Sequence, residues 1–247
     1  MLVIDDVGSG QPVLLLHGGG GPETVAPFAG HLSARKRVLT PTLPGWNGTA
    51  RPAGMDTIGD YAVAFLRRLT DDGLRDVVVI GSSIGGWIAA EMALRDDSGR
   101  VLRLVLVDAV GIEVEGEPVT DFYSLDPRGI VEHSFHDPDR FYVDPATIPA
   151  EQAERQRANI ATMSEVAGDM VDPGLRGKLA GVRSPALVVW GDSDRIVTPA
   201  YGRAYADAFA DARFELITDA GHLPQLEKPD ATFAVIETFL RQTSASN

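Results

Sequence analysis

Val13 to Leu16 (VLLL), Val77 to Ile80 (VVVI), Leu102 to Val107 (LRLVLV) and Ala186 to Trp190 (ALVVW) are short aliphatic runs bounded by Gly, Pro or Asp. Such runs present almost no polar side, so they suit strands covered on both faces of a parallel sheet. Weaker candidates are Arg37 to Leu39 and Arg213 to Ile217. Helical spacing of apolar residues fills Thr57 to Leu69, Ile84 to Leu94, Ala200 to Phe209 and Ala231 to Leu240 between them. Parallel neighbours need a crossover, and a crossover helix packs back on the sheet in the right-handed sense. The alternation therefore predicts an α/β fold, a mostly parallel sheet with helices on both faces and ligands at the strands' carboxyl ends.

The pattern stops between residues 111 and 182, which are rich in Glu, Asp, Pro and Arg and hold no comparable run. This stretch is expected to be an inserted helical cap, leaving 1–110 and 183–247 as the core. Helices are expected at Pro127 to Ser134 and Pro149 to Gly168, with Pro138, Pro145, Pro149 and Pro173 dividing the rest. The 247 residues carry 22 Lys plus Arg against 35 Asp plus Glu, a formal charge of −13 that repels nucleic acid and anionic membrane surfaces. Cysteine is absent, which excludes disulfides, thiolate nucleophiles and Cys-ligated metals. No apolar run nears the roughly 18 residues of a membrane span, and MLVIDDVGSG has no signal-like core, so a cytoplasmic address is expected.

Chemistry concentrates at the ends of the runs. VVVIGSSIGGWIAAEMAL carries a buried strand into a helix through Gly81, Ser82, Ser83, Ile84 and Gly85, a GxSxG turn that exposes its central serine above a sheet. Only Ser83 has glycine two residues before and two after it. The plainer alternative is a glycine-rich turn with incidental serines, but the strand-to-helix setting favours a nucleophile. A serine hydroxyl then needs a base and an orienting acid. Of the five histidines, His17 and His222 directly follow candidate strands, while His31, His133 and His136 fall in a surface helix and the cap. His222 is the expected base. WGDSDRIVTP offers Asp192 and Asp194 after a strand, and Asp108 ends LRLVLVD. Asp194 is favoured, in the chain order Ser, Asp, His. Asp192 is the alternative for capping the turn, and Asp108 for a structural carboxylate or a relocated acid. An oxyanion hole would come from the amides of Ile84 and of Gly19, with Gly18 and Gly20 as neighbours, in HGGGG after the first strand. The same loop lacks the lysine and hydroxyl of a phosphate loop and the GxGxxG start of a dinucleotide site. His17 is expected to organise this loop.

Four motifs in order, HGGGG at 17–21, GSSIG at 81–85, WGDSDRIVTP at 190–199 and AGHLPQLEKP at 220–229, make the chain resemble the α/β-hydrolase fold family over all but the cap. LTPTLPGWNGTARP at 39–52 resembles that family's Pro-Gly loop. The resemblance implies nucleophile Ser83, acid Asp194, base His222 and oxyanion amides at Gly19 and Ile84. Serine at the elbow separates the chain from the haloalkane dehalogenases and epoxide hydrolases of this fold, which use aspartate there. HGGGG, GSSIGG and WGDSDRIVTP are similar to the meta-cleavage-product hydrolases, but Leu223 stands where that branch commonly has Trp and Ser82 where Asn often precedes the nucleophile. The expected activity is therefore hydrolysis of small esters or related acyl compounds. Carbon–carbon hydrolysis of a dienoate ketone, or small-ligand binding without catalysis, are the alternatives. The expected partner is a small ester or ketone substrate, with no nucleic acid, membrane, metal or cofactor called for, and with oligomeric state, a homodimer included, left open.

Overall fold

The computed structural model describes residues 2–241. Its main sheet has seven strands in the order β1-β3-β2-β4-β5-β8-β9. These are β1 (Val3–Gly8), β2 (Pro12–Leu16), β3 (Arg37–Thr42), β4 (Val77–Ser82), β5 (Val101–Val107), β8 (Ala186–Gly191) and β9 (Ala212–Ile217). Every pairing is parallel except that of β1 with β3. The six expected strands are all present. β1 is the addition, an antiparallel edge strand whose sequence VIDDVG is mostly exposed and so lacks the aliphatic signature of the others.

Alternation along the strands divides the core in two. Val13, Leu15, Val78, Ile80, Val105, Val107, Leu187 and Val189 face one way. They are covered by α1 (Ala26–Ser33) and by the C-terminal helix Pro229–Arg241, whose Phe28 and Phe233 rings stack at 4.5 Å. Leu14, Leu16, Val79, Leu104, Leu106, Val188 and Trp190 face the other way. Their cover is α2 (Ile58–Asp71), α3 (Ile84–Arg95) and the helix Pro199–Asp207, through Tyr61, Phe65, Ile88, Tyr201 and Tyr205. The start of α2 is fixed by a capping box in which Thr57 and Asp60 satisfy each other's amides, a device worth about 1 kcal/mol.

Between β5 and β8 lie a two-stranded parallel ribbon, β6 (Gly111–Ile112) with β7 (Val171–Asp172), and the helices α4 (Pro127–Ser134), α5 (Pro138–Phe141) and α6 (Ala150–Ala167). β6 and β7 are each two residues long, too short to leave a periodic trace. The remaining helices are α7 (Pro199–Asp207), α8 (Pro224–Glu227) and α9 (Pro229–Arg241). Among the described residues no helix is long and apolar enough to cross a membrane.

Candidate active site

β4 runs directly into α3, and Ser83 at the junction has φ 55° and ψ −120°. A non-glycine residue held in that region carries of order 1–3 kcal/mol of strain. The turn is held by the Ser83 amide, which donates to the Val107 carbonyl at 2.9 Å, and by the amides of Gly86 and Trp87, which donate to the Ser83 carbonyl. Two neighbours must lack a side chain for this to close. A Cβ at Gly81 would collide with the Gly85 carbonyl, and one at Gly85 with the carbonyls of Leu16 and His17. The glycines at both flanks of Ser83 are thus a steric requirement of the turn.

His222 lies on the loop between β9 and α8. Its Nε2 is 2.9 Å from Ser83 Oγ, and its Nδ1 is 2.8 Å from Asp194 Oδ2. The carboxylate can only accept, so it selects the Nδ1–H tautomer and leaves the Nε2 lone pair facing the serine hydroxyl. Asp194 is itself fixed, because Oδ1 accepts from the amides of Ile196 at 2.8 Å and Val197 at 3.2 Å. All three residues are buried. The sequence leaves three carboxylates open for this role, and the structure brings Asp194 to the imidazole. Asp192 instead accepts from its neighbour Ser193 Oγ. Ser82 accepts from Gln225 Nε2 at 3.3 Å. The other histidines are engaged elsewhere: His31 with Glu237, His133 with the Gly129 carbonyl, and His136 with Ser193.

His17 does organise the glycine loop. Its Nε2 accepts from the Leu43 amide at 2.9 Å, so its Nδ1 carries the proton and donates to the Gly18 carbonyl at 2.7 Å. Burial lowers its pKa from 6.5 to about 4, against the opposing pull of that carbonyl, and keeps the ring neutral. Trp46 Nε1 donates to the Gly19 carbonyl at 3.0 Å. Because the N–H of a trans peptide points opposite to its C=O, tying the Gly18 carbonyl to His17 aims the Gly19 amide the other way. Ile84, the first residue of α3, has an amide with no partner inside its helix.

A cavity of about 530 Å³ opens from Gly19 and Gly20 into the segment between β5 and β8. Its walls are mainly apolar, among them Ile130, Val131, Phe141, Ile160 and Met163. Met163 packs its thioether over the Gly19 backbone. Asn159 of α6 is tied to the loop after β3, accepting from the Asn47 amide at 2.8 Å and donating to Asn47 Oδ1 at 3.0 Å.

One contributor has no role in the sequence-based reading. The buried Glu227 carboxylate accepts from the Gly221 amide at 2.5 Å and from the amides of His136 and Asp137 at 3.0 and 3.2 Å. It therefore ties the His222 loop to the turn that follows α4. The His222 amide adds a bond to the Ser134 carbonyl at 2.8 Å. Glu227 lies within AGHLPQLEKP, five residues after the histidine, but its partners are distant backbone groups that residue order does not reveal. Among the described residues, Asp108, Asp194 and His222 form the one group of carboxylates and imidazole compact enough to hold a metal ion, and both nitrogens of His222 are already hydrogen-bonded within the site.

A strained strand-to-helix serine, an imidazole from the last βα loop and a carboxylate from the loop before it are arranged as in a hydrolase built on an α/β sheet, and the comparisons agree. The chain belongs to the alpha/beta hydrolase family, whose model matches residues 13–235. It is 30% identical over 251 residues, 93% of this chain and 98% of the relative, to a pimeloyl-(acyl-carrier protein) methyl ester esterase of Aromatoleum aromaticum. It is 27% identical to a 2-hydroxy-6-oxo-2,4-heptadienoate hydrolase of Pseudomonas putida, over 96% of this chain and 91% of that one. A meta-cleavage product hydrolase from Pseudomonas fluorescens has the same fold, with a TM-score of 0.80 at 20% identity, covering 97% of this chain and 93% of its own. The protein is a hydrolytic enzyme of the serine type that this family implies.

Proposed function

We propose that the protein hydrolyses small carboxylic esters through an acyl-enzyme, with Ser83 as nucleophile, His222 as base, Asp194 as acid, and the amides of Gly19 and Ile84 as the oxyanion hole. The observation that carries this reading is the pair of hydrogen bonds at 2.9 and 2.8 Å that joins Ser83 through His222 to Asp194 beside an apolar cavity. Ser83 Oγ attacks the ester carbonyl while His222 Nε2 takes its proton. Asp194 stabilises the resulting imidazolium, and the two amides receive the charge that develops on oxygen, where one such donor is worth about 10²- to 10³-fold in kcat. Collapse expels the alcohol with the proton from His222. Water, activated by the same imidazole, then releases the acid. Residues 111–182 act as the cap, and their apolar wall takes the acyl chain.

The test is a panel of p-nitrophenyl esters of increasing chain length assayed with wild type, Ser83→Ala and Ser82→Ala. Ser83→Ala is expected to lower kcat by about 10⁴- to 10⁶-fold, and Ser82→Ala by less than about 10-fold. Full activity in Ser83→Ala would remove the assignment. The likeness to the heptadienoate hydrolase supports a second reading, carbon–carbon cleavage of a dienoate ketone by the same residues. It stands if a ring-fission product is consumed faster than any ester in the panel.

A further inference from the structure

Asp108 is fully buried and directly follows β5, with φ 45°. Its amide donates to the Val189 carbonyl at 3.0 Å, and its Oδ1 accepts from the Gly191 amide at 2.9 Å, so it spans the carboxyl ends of β5 and β8. Its second oxygen, Oδ2, is buried and receives no hydrogen bond among the described residues. One oxygen of Asp108, one of Asp194 and a ring nitrogen of His222 all lie within 4.8 Å of one another. The three catalytic roles proposed above leave Asp108 without a task.

Two carboxylates this close, out of water, do not both ionise without a cation between them. Asp194 has three donors, the amides of Ile196 and Val197 and the Nδ1–H of His222, whereas Asp108 has one. The ionised form therefore belongs to Asp194 and the proton to Asp108, on the oxygen that lacks a donor. We infer that Asp108 is a positioning residue, a neutral carboxylic acid whose Oδ2–H is directed at the Asp194 carboxylate. This rests on the reading of Asp194 and His222 as acid and base. A donor on Asp194 holds that carboxylate in place and lowers its basicity, so the proton taken from Ser83 stays on the imidazole for delivery to the leaving group. Burial, foremost, and the neighbouring Asp194 charge push the Asp108 carboxyl well above its ordinary 3.8, with Glu227 adding to the rise and the Gly191 amide opposing it.

The test uses Asp108→Asn, which keeps an N–H for Asp194 without a titrating group, and Asp108→Leu, which keeps the bulk without the donor. With isotope-labelled aspartate, the wild-type infrared spectrum at neutral pH is expected to contain a buried carboxylic-acid carbonyl band that Asp108→Asn lacks. The folded protein keeps the Asp108 proton above pH 3.8 while the unfolded chain releases it, so this group's contribution to stability falls as pH rises. Asp108→Asn is accordingly expected to melt above wild type at neutral pH, with the gap closing toward pH 4. On esters, Asp108→Leu is expected to lose about 10- to 100-fold in kcat with KM within about 2-fold, and Asp108→Asn to recover most of that loss. Absence of the acid band, or a stability gap that ignores pH, would overturn the inference. If either variant fails to fold, absence of the acid band from the wild-type spectrum alone still overturns the inference. Neither the band nor the melting requires turnover, so failure of the ester reading shows separately, as a wild type inactive on every ester while the band persists.

Discussion

The turns at the strands' carboxyl ends and the segment between β5 and β8 are built on different principles. In the turns, Asp194, Glu227 and His17 are buried and answered by fixed partners: two amides and an imidazole on Asp194, three amides on Glu227, and an amide on His17, whose other nitrogen binds a carbonyl. In the intervening segment, α4 and α5 are short and the charges pair along exposed helix faces, as Arg128 does with Glu132 and Arg155 with Glu151. Pairs of that kind, open to solvent, add little to stability. The proposed catalytic turns are thus over-determined, whereas the cavity in the intervening segment is walled mainly by apolar side chains.

The largest test of that contrast is Asp194→Asn. An amide there either presents an N–H to the imidazole, selecting the wrong tautomer, or offers a neutral oxygen in place of the charge. kcat on the best ester is expected to fall about 10⁴-fold with KM little changed. A loss below about 10-fold would place the acid elsewhere. Next comes His17, which is neutral when folded and titrates at 6.5 when unfolded. The unfolded chain gains a proton that the folded protein refuses until about pH 4, so stability is lost as pH falls through that window. Wild type is expected to lose about 3 kcal/mol more than His17→Gln between those limits, read from denaturant melts at each pH. A parallel pair of curves would mean that His17 is not a buried neutral ring. The smallest effect belongs to the cavity wall. Met163→Ala is expected to shift the kcat/KM ratio of long to short acyl esters by about 10-fold while the short ester changes by less than about 3-fold. An unchanged ratio would place the acyl chain outside this cavity.

The same division governs how much could be read in advance. Strands buried on both faces are written as aliphatic runs, so β2, β4, β5 and β8 were legible, whereas the edge strand β1 carries Asp5 and Asp6 and has no such signature. The elbow was legible because its glycines are forced by sterics at fixed spacing around Ser83. Residue order could only rank Asp194, Asp192 and Asp108. All three end or follow strands, and what separates them is the direction of each turn. The cavity was illegible because α4 and α6 meet it through side chains far apart in the chain, with no shared period.

Glu227 gives the molecule a mechanical linkage. Its carboxylate binds the backbone ahead of His222 on one side and the turn after α4 on the other, so this one side chain, beside the bond from the His222 amide to the Ser134 carbonyl, couples the histidine loop to the segment that walls the cavity. A foreign roof grafted onto this scaffold must bring backbone amides into register at positions 136 and 137. Without them, the transplant leaves the Glu227 carboxylate buried with the Gly221 amide but without its two donors from the segment after α4, even though Ser83, Asp194 and His222 are unchanged.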